Sequence, residues 1–305
     1  MALQFTAKVA APAEAVFDLI ADAPAWPQFF RPEVHAEYLS RGDGSDLLRR
    51  WFLTPEQDAV RVRTYRRVLD RGALRIAFEN DEERTTGAWT FTPLSPDETG
   101  VELRYEPGSA GGSVPAELAS EAAAWIDGIT RAAEPPGGDL GDLVLSFEDT
   151  LFIGGAAADA YAVLYEADKW PERIEHVARL DMSEDVPGIQ FFDMDTRTPD
   201  GAEHTTRSVR VCLPERLIVY KQINLPKLLA AHTGHWRFTP TREGLIAGAR
   251  HTVTVKPSAL GILGPDATVE DARRYLRRVL GANSTKNLQL AKRWAEDGAA
   301  QRASG

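Results

Sequence analysis

The chain has 305 residues, with 35 Lys and Arg against 45 Asp and Glu for a formal net charge of −10, a length that suits about two domains of roughly 150 residues. An apolar share of 43% with 26% charged residues is ordinary globular composition and excludes a disordered tail protein. No apolar run reaches the roughly 20 residues of a membrane-spanning helix, and residues 1–140 hold 14 basic against 23 acidic side chains, the wrong sign for binding a phosphate backbone, so neither membrane nor nucleic acid is expected as a partner.

The start, MALQFTAKVAAPAEAVF, places no long apolar core after Lys8, so no secretory signal is expected and the chain reads as cytoplasmic. Its Leu3, Phe5, Ala7 and Val9 alternate as in a strand. Pro12 then suits a first helical turn, followed by an apolar stripe of Val16, Phe17, Leu19 and Ile20. The helix should end before Pro24, with Trp26-Pro27 at the corner beyond it. Strand-like segments follow at 34–39, 47–53, 60–69, 74–79, 87–92 and 101–106, then a helical run at 115–133. The Pro- and Gly-rich stretch at 134–142 excludes regular structure and reads as a linker.

The same order then recurs. Val9-Ala-Ala-Pro-Ala-Glu-Ala-Val-Phe17 and Trp26-Pro27 return as Ile153-Gly-Gly-Ala-Ala-Ala-Asp-Ala-Tyr161 and Trp170-Pro171, and Gly87-Ala-Trp-Thr-Phe-Thr-Pro93 returns as Gly234-His-Trp-Arg-Phe-Thr-Pro240. After a strand ending at Leu151 and Ile153, strands are expected at 178–182, 189–196, 204–213, 217–223, 234–239 and 245–255, closed by a helix over 268–296. A repeat this long means duplicated domains, since solenoid units span only about 20–50 residues. Residues 1–134 and 143–305 are therefore read as two domains joined by 135–142. Strand, helix, consecutive strands and long helix make each an α+β domain, with one antiparallel sheet and its helices on one face.

A curved sheet wrapped round a long helix leaves room for an apolar ligand. Each half resembles the START-like helix-grip fold. The pair resembles the di-domain aromatase/cyclases of bacterial type II polyketide synthases, through residues 26–35, 63–72, Trp170-Pro171 and 204–214. The resemblance implies a pocket Arg with Ser two residues and Trp four residues before it. That Arg falls on Arg67 and Arg210; Ser208 keeps the hydroxyl, Thr206 stands for the Trp, and the first copy departs with Tyr65 and Arg63. It implies Arg67, Arg210, Ser208 and His204 as catalytic residues, and Trp26, Phe30, His35, Tyr65, Trp170 and His251 as substrate contacts. The implied activity is first-ring (C7–C12) cyclisation, dehydration and aromatisation of a poly-β-ketone borne by an acyl carrier protein, with no cofactor.

Strand parity alone leaves the arginines open. Arg61, Arg63, Tyr65 and Arg67 share a face opposite Val60, Val62 and Val68, and in the second copy His204 through Cys212 alternate against Val209 and Val211. One reading sends the valines to the core and the arginines to solvent; the other sends the arginines into a pocket. Trp26 and Trp170 suit a corner plug or a cavity rim, whereas Trp89 and Trp236 read as core. His204 and His251 suit proton transfer. No HExxH motif accompanies the six histidines, His232 and His235 have no Cys or carboxylate support, and Cys212 is alone, so no metal and no disulfide are expected. Arg273, Arg274, Arg277 and Arg278 form a basic run that reads as a solvated face or as a docking site for an acidic carrier protein. Against the enzyme stands a passive carrier of hydrophobic ligands, favoured by an entirely apolar lining; an active domain beside a structural one is the third reading.

Overall fold

The computed structural model describes residues 2–80, 82, 85–107, 117–133, 140–175, 177–197 and 203–304, with backbone alone at 140, 197, 203, 204 and 302–304. The chain divides into two compact units, Met1–Leu140 and Gly141–Gly305.

The first unit runs β1 (Leu3–Val9), α1 (Ala13–Ala21), α2 (Trp26–Phe29), β2 (Glu33–Gly42), β3 (Ser45–Leu53), β4 (Val60–Asp70), β5 (Arg75–Asn80), β6 (Thr85–Ser95), β7 (Glu98–Pro107) and α3 (Glu117–Ala133). Its seven strands form one antiparallel sheet in the order β1-β7-β6-β5-β4-β3-β2. A helical turn, α4 (Leu140–Leu143), follows, so the end of the expected linker is regular despite its glycine; residues 134–139 lie outside the described part. The second unit repeats the plan with β8 (Val144–Ile153), α5 (Ala157–Tyr165), α6 (Trp170–Arg173), β9 (Val177–Val186), β10 (Ile189–Arg197), β11 (Glu203–Leu213), β12 (Leu217–Asn224), β13 (Leu229–Pro240), β14 (Leu245–Val255) and α7 (Val269–Ser304). Its sheet order is β8-β14-β13-β12-β11-β10-β9, the same topology strand for strand. Trp89 on β6 and Trp236 on β13 accordingly fall on equivalent strands.

The Trp-Pro pairs differ from the corner expected of them. Each begins a four-residue helix, because proline in a first helical turn loses no hydrogen bond that the turn would have made. The tryptophans that precede the prolines are buried. Trp26 meets Trp125 of α3 edge-on with centroids 4.7 Å apart, and Trp170 meets Phe192 and Trp236 at 6.1 and 6.0 Å. Helix α3 supplies Leu118, Ala122, Trp125 and Ile129 to the first core, a three- and four-residue spacing that keeps one stripe against the sheet. Helix α7 does the same in the second unit with Leu288, Ala291 and Ala295.

Candidate functional site

Successive strand residues face opposite sides, so antiparallel register carries one row of side chains straight across a sheet. In the first unit that row reads Asp46, Arg67, Phe78, Gly87, Tyr105. In the second it reads Gln190, Arg210, Tyr220, Gly234, His251. The repeated glycine is explained by its neighbour in the row. A Cβ at Gly87 would collide with the Phe78 ring, and one at Gly234 with the Tyr220 phenol. Each glycine thus lets an aromatic ring lie across the sheet.

The arginines point inward, which overturns the solvent-facing reading. Arg67 is 3% and Arg210 0% exposed, whereas Val68 is 59% exposed. In β11 both faces are covered, since Val209 and Val211 are buried as well. Hydropathy ranks valine inside, but a guanidinium with enough acceptors is stable there. Arg67 donates Nε and NH2 to Asp46 at 2.9 and 2.8 Å, and reaches the carbonyls of Ile20 and Ala21 at the end of α1 at 2.9 and 3.0 Å. Arg210 reaches the carbonyls of Leu164 and Tyr165 at the end of α5 at 2.8 and 2.6 Å, and donates Nε and NH2 to Gln190 Oε1. Each arginine therefore clamps a helix C-terminus, where the helix dipole favours a cation, and covers the Trp of the Trp-Pro pair at 5.3 Å (Arg67) or 5.2 Å (Arg210). Four of five donors serve the chain itself. Gln190 brings no charge to answer Arg210, and burial lowers that guanidinium from its ordinary range. Burial also pushes the neighbouring Cys212 thiol up to about 11, which keeps it protonated.

The first interior is nearly full. Its cavity, lined by Trp26, Arg50, Tyr65, Arg67, Trp89 and Tyr105 among others, measures about 30 Å³, room for about one water. Arg50 pairs with Glu33 and Glu121, Arg63 pairs with Glu121, and all four side chains are nearly inaccessible. Burial pulls Arg50 down, but Glu121, Glu33 and Tyr65 together raise it well above its usual value. Burial pushes Glu121 up, but Arg50 and Arg63 hold it below the ordinary carboxylate range. This network is bound to itself.

Among the described residues the second interior has no such ion cluster, since Met194 and Thr206 are the paired residues where the first unit has Arg50 and Arg63. Tyr220 Oη lies 2.6 Å from His251 Nδ1 and 3.4 Å from His232 Nε2, and His232 Nδ1 lies 2.9 Å from Gln222 Oε1. Burial drives His232 well below its ordinary value, with His251 adding to the effect. Burial brings His251 down to about 4, Asp149 opposing and Arg277 assisting. Burial also raises Tyr220. All three are uncharged near neutrality. His251 Nε2, Trp236 Nε1, Thr206 Oγ1 and Asn287 Oδ1 are buried without a hydrogen-bond partner.

Among the expected site residues, Trp26, Tyr65 and Arg67 line the first cavity. Ser208, Arg210 and His251 are buried in the second unit, and Trp170 packs there against Arg210. Two placements are corrections. Phe30 packs on Trp125 at 4.2 Å and fills the space that Gly128 leaves on α3, so it is helix packing and not cavity lining. His35 lies beside Trp51 at 5.1 Å and Glu37, on the face of β2 opposite the cavity, because its partner Trp51 alternates with inward-facing Arg50. The side chain of His204 and all of His176 lie outside the described residues. His232 and His235, three apart on β13, face opposite ways. The basic run is also largely answered locally: Arg273 donates to the carbonyls of Asp142 and Val144, Arg274 pairs with Asp271, and Arg277 pairs with Asp149. Sequence reasoning missed Asp46, Gln190, Tyr220 and the Arg50 cluster. The signal available was cross-strand register, which sets Asp46 opposite Arg67 and Gln190 opposite Arg210 once the hairpins are aligned.

Residues 9–125 match the family model described as polyketide cyclase / dehydrase and lipid transport. The chain is 37% identical over 306 residues to the granaticin polyketide synthase bifunctional cyclase/dehydratase of Streptomyces violaceoruber, covering 96% of this chain and 94% of that one. It is similar to the crystal structure of the di-domain ARO/CYC StfQ from the steffimycin biosynthetic pathway, at 57% identity and a TM-score of 0.91 over 98% of this chain and 99% of that one. It is also similar to the di-domain ARO/CYC BexL from the BE-7585A pathway, at 33% identity and a TM-score of 0.84 over 97% and 99%.

Proposed function

This chain belongs to the polyketide synthase cyclase/dehydratase family, and from that premise we propose that it directs first-ring (C7–C12) closure of a poly-β-ketone held as a thioester on an acidic acyl carrier protein. It is an aromatase/cyclase of aromatic polyketide biosynthesis, an enzyme of cyclisation and dehydration.

The observation that carries the finer reading is the set of unpartnered polar atoms inside the second unit: Thr206 Oγ1, Trp236 Nε1 and His251 Nε2. Each buried orphan costs about 1–3 kcal/mol, a cost that a carrier of purely apolar ligands has no reason to keep. A poly-β-ketone presents an oxygen at every second carbon and completes such groups as it folds. Holding the enol carbon against its ketone is the larger part of the work, since orientation supplies several kcal/mol to a ring closure. Arg210 shapes the wall by fixing α5 and Trp170, and the buried Ser208 extends the polar side. In the first unit the corresponding charges are satisfied by one another, although Trp26 Nε1 there is likewise unpartnered, and on that difference in charge we take the second interior as the reactive one.

The test is reconstitution with a ketosynthase pair and carrier protein. Adding the chain should replace spontaneously cyclised shunt compounds with a C7–C12 aromatic ring. An unchanged product profile would refute first-ring direction.

A further inference from the structure

We propose that His251 is the acid–base residue of this reaction, working through Nε2 and loaded and unloaded by Tyr220 and His232. The proposal rests on the reading that the second interior receives the polyketide.

The geometry is that of a short relay ending in a buried, unpartnered nitrogen. Gln222 Oε1 can only accept, so His232 carries its proton on Nδ1 and holds a lone pair on Nε2. That lone pair lies 3.1 Å from His251 Nδ1 and 3.4 Å from Tyr220 Oη, and Tyr220 Oη lies 2.6 Å from His251 Nδ1. A hydroxyl both donates and accepts, so Tyr220 passes a proton between the two rings in either direction. The other end of the relay, His251 Nε2, has no partner although the residue is only 7% exposed. Gly234 supports the same reading: only a residue without Cβ lets the Tyr220 phenol reach this place. Around His251 stand Phe147 and Asp149 of β8, Tyr220 of β12, His232 of β13 and Arg277 of α7. Asp149 and Arg277 pair with each other, and burial leaves His251 uncharged and able to accept a proton.

The steps balance without an oxidant, reductant or metal. His251 Nε2 takes a proton from the methylene between two substrate carbonyls; the C–H bond breaks and its electron pair becomes the enolate. The enolate carbon attacks a ketone carbon, the new C–C bond forms, and the ketone oxygen takes the proton back from His251 to give a β-hydroxy ketone. Nε2 then removes the remaining proton on the attacking carbon, the electron pair closes a C=C bond, and the hydroxyl leaves with that proton as water. Between steps the proton moves from Nδ1 through the Tyr220 hydroxyl to His232 Nε2 and returns. His251 is the catalytic residue; Tyr220 and His232 position and buffer it.

The full chain carrying His251→Gln, Tyr220→Phe or His232→Gln tests this, with thermal melting to establish folding. The first readout is solvent-deuterium exchange into the central methylene of a short β-diketo thioester. His251→Gln should slow exchange and formation of dehydrated product by about 10²-fold or more. Tyr220→Phe, which keeps the ring and its packing, should give a smaller loss in both, and His232→Gln should resemble it. A merely structural role would lower the melting temperature without slowing exchange per folded molecule. Wild-type exchange in folded His251→Gln, or in folded Tyr220→Phe should His251→Gln fail to fold, would overturn the proposal. Ring regiochemistry with the carrier-bound substrate reads the underlying assignment separately: His251-dependent exchange alongside wrongly closed rings upholds His251 and removes first-ring direction.

Discussion

Arg67 and Arg210 hold the same place in their rows but answer to different acceptors, a carboxylate in one and an amide in the other. Removing one partner of a buried ion pair leaves an uncompensated charge, which costs about 3–5 kcal/mol. Asp46→Ala should therefore destabilise the first unit by about that amount, while Asp46→Leu with Arg67→Met should recover only part of it, because the Ile20 and Ala21 carbonyls then lose their donors, as denaturant midpoints would register. A double variant no more stable than Asp46→Ala would count against the uncompensated charge as the cause of the loss. The histidines give a pH signature. His232 and His251 titrate lower in the folded chain than their ordinary value near 6.5, so the unfolded chain binds more protons between those limits. The His251 contribution is complete above about pH 6.5 and is lost as pH falls toward about 4, accounting for about 3 kcal/mol, and His232 acts in the same direction. Asp149, Arg277 and Tyr220 face the same group. His251→Gln should flatten the melting temperature between pH 7 and pH 4.5; an unaltered slope would mean that His251 is not buried neutral.

At the scale of the element, each sheet is a register device. The β5–β6 and β12–β13 pairs place a glycine under an aromatic ring, and the neighbouring strand supplies the arginine that clamps a helix end. Gly234→Ala should therefore act through Tyr220. The added methyl meets the phenol and the carbonyl of Arg250, overpacking that costs about 1–3 kcal/mol, and it displaces the hydroxyl from His251. Dehydration should fall further than stability alone explains, whereas Gly87→Ala, which presses on Phe78, should lower stability with less effect on product. Equal product losses in the two variants would separate the glycine from the relay.

For the molecule as a whole, a net charge of −10 repels an acidic carrier protein at long range, so docking needs local positive charge. Of the four arginines in the basic run at the start of α7, Arg273 and Arg277 are drawn toward β8, which leaves Arg274 and Arg278 as the pair facing outward. Arg274→Glu with Arg278→Glu should raise KM for carrier-bound substrate and weaken its salt dependence, while turnover of a free thioester analogue stays near wild type. Equal losses on both substrates would place the damage in α7 itself, and no loss on either would place docking elsewhere.

What the sequence by itself determined was the duplicated α+β plan, because strand alternation, helix spacing and the matched Trp-Pro and Trp-x-Phe-Thr-Pro segments are local or are repeated at nearly constant offset. The burial of Arg67, Arg210 and Ser208 was legible as one of two open readings, and parity could not choose between them. That choice depended on acceptors far along the chain: the carbonyls of Ile20, Ala21, Leu164 and Tyr165, which exist as open acceptors only where a helix ends against the sheet. The same holds for Phe30 and His35, whose surroundings were set by α3 and by the register shift between β2 and β3. Tyr220, His232 and His251 stand 12 and 19 residues apart along the chain, and nothing local marks them as partners. Only the folded sheet brings three neutral groups together on one buried face, because register, unlike composition, is a property of strands taken together.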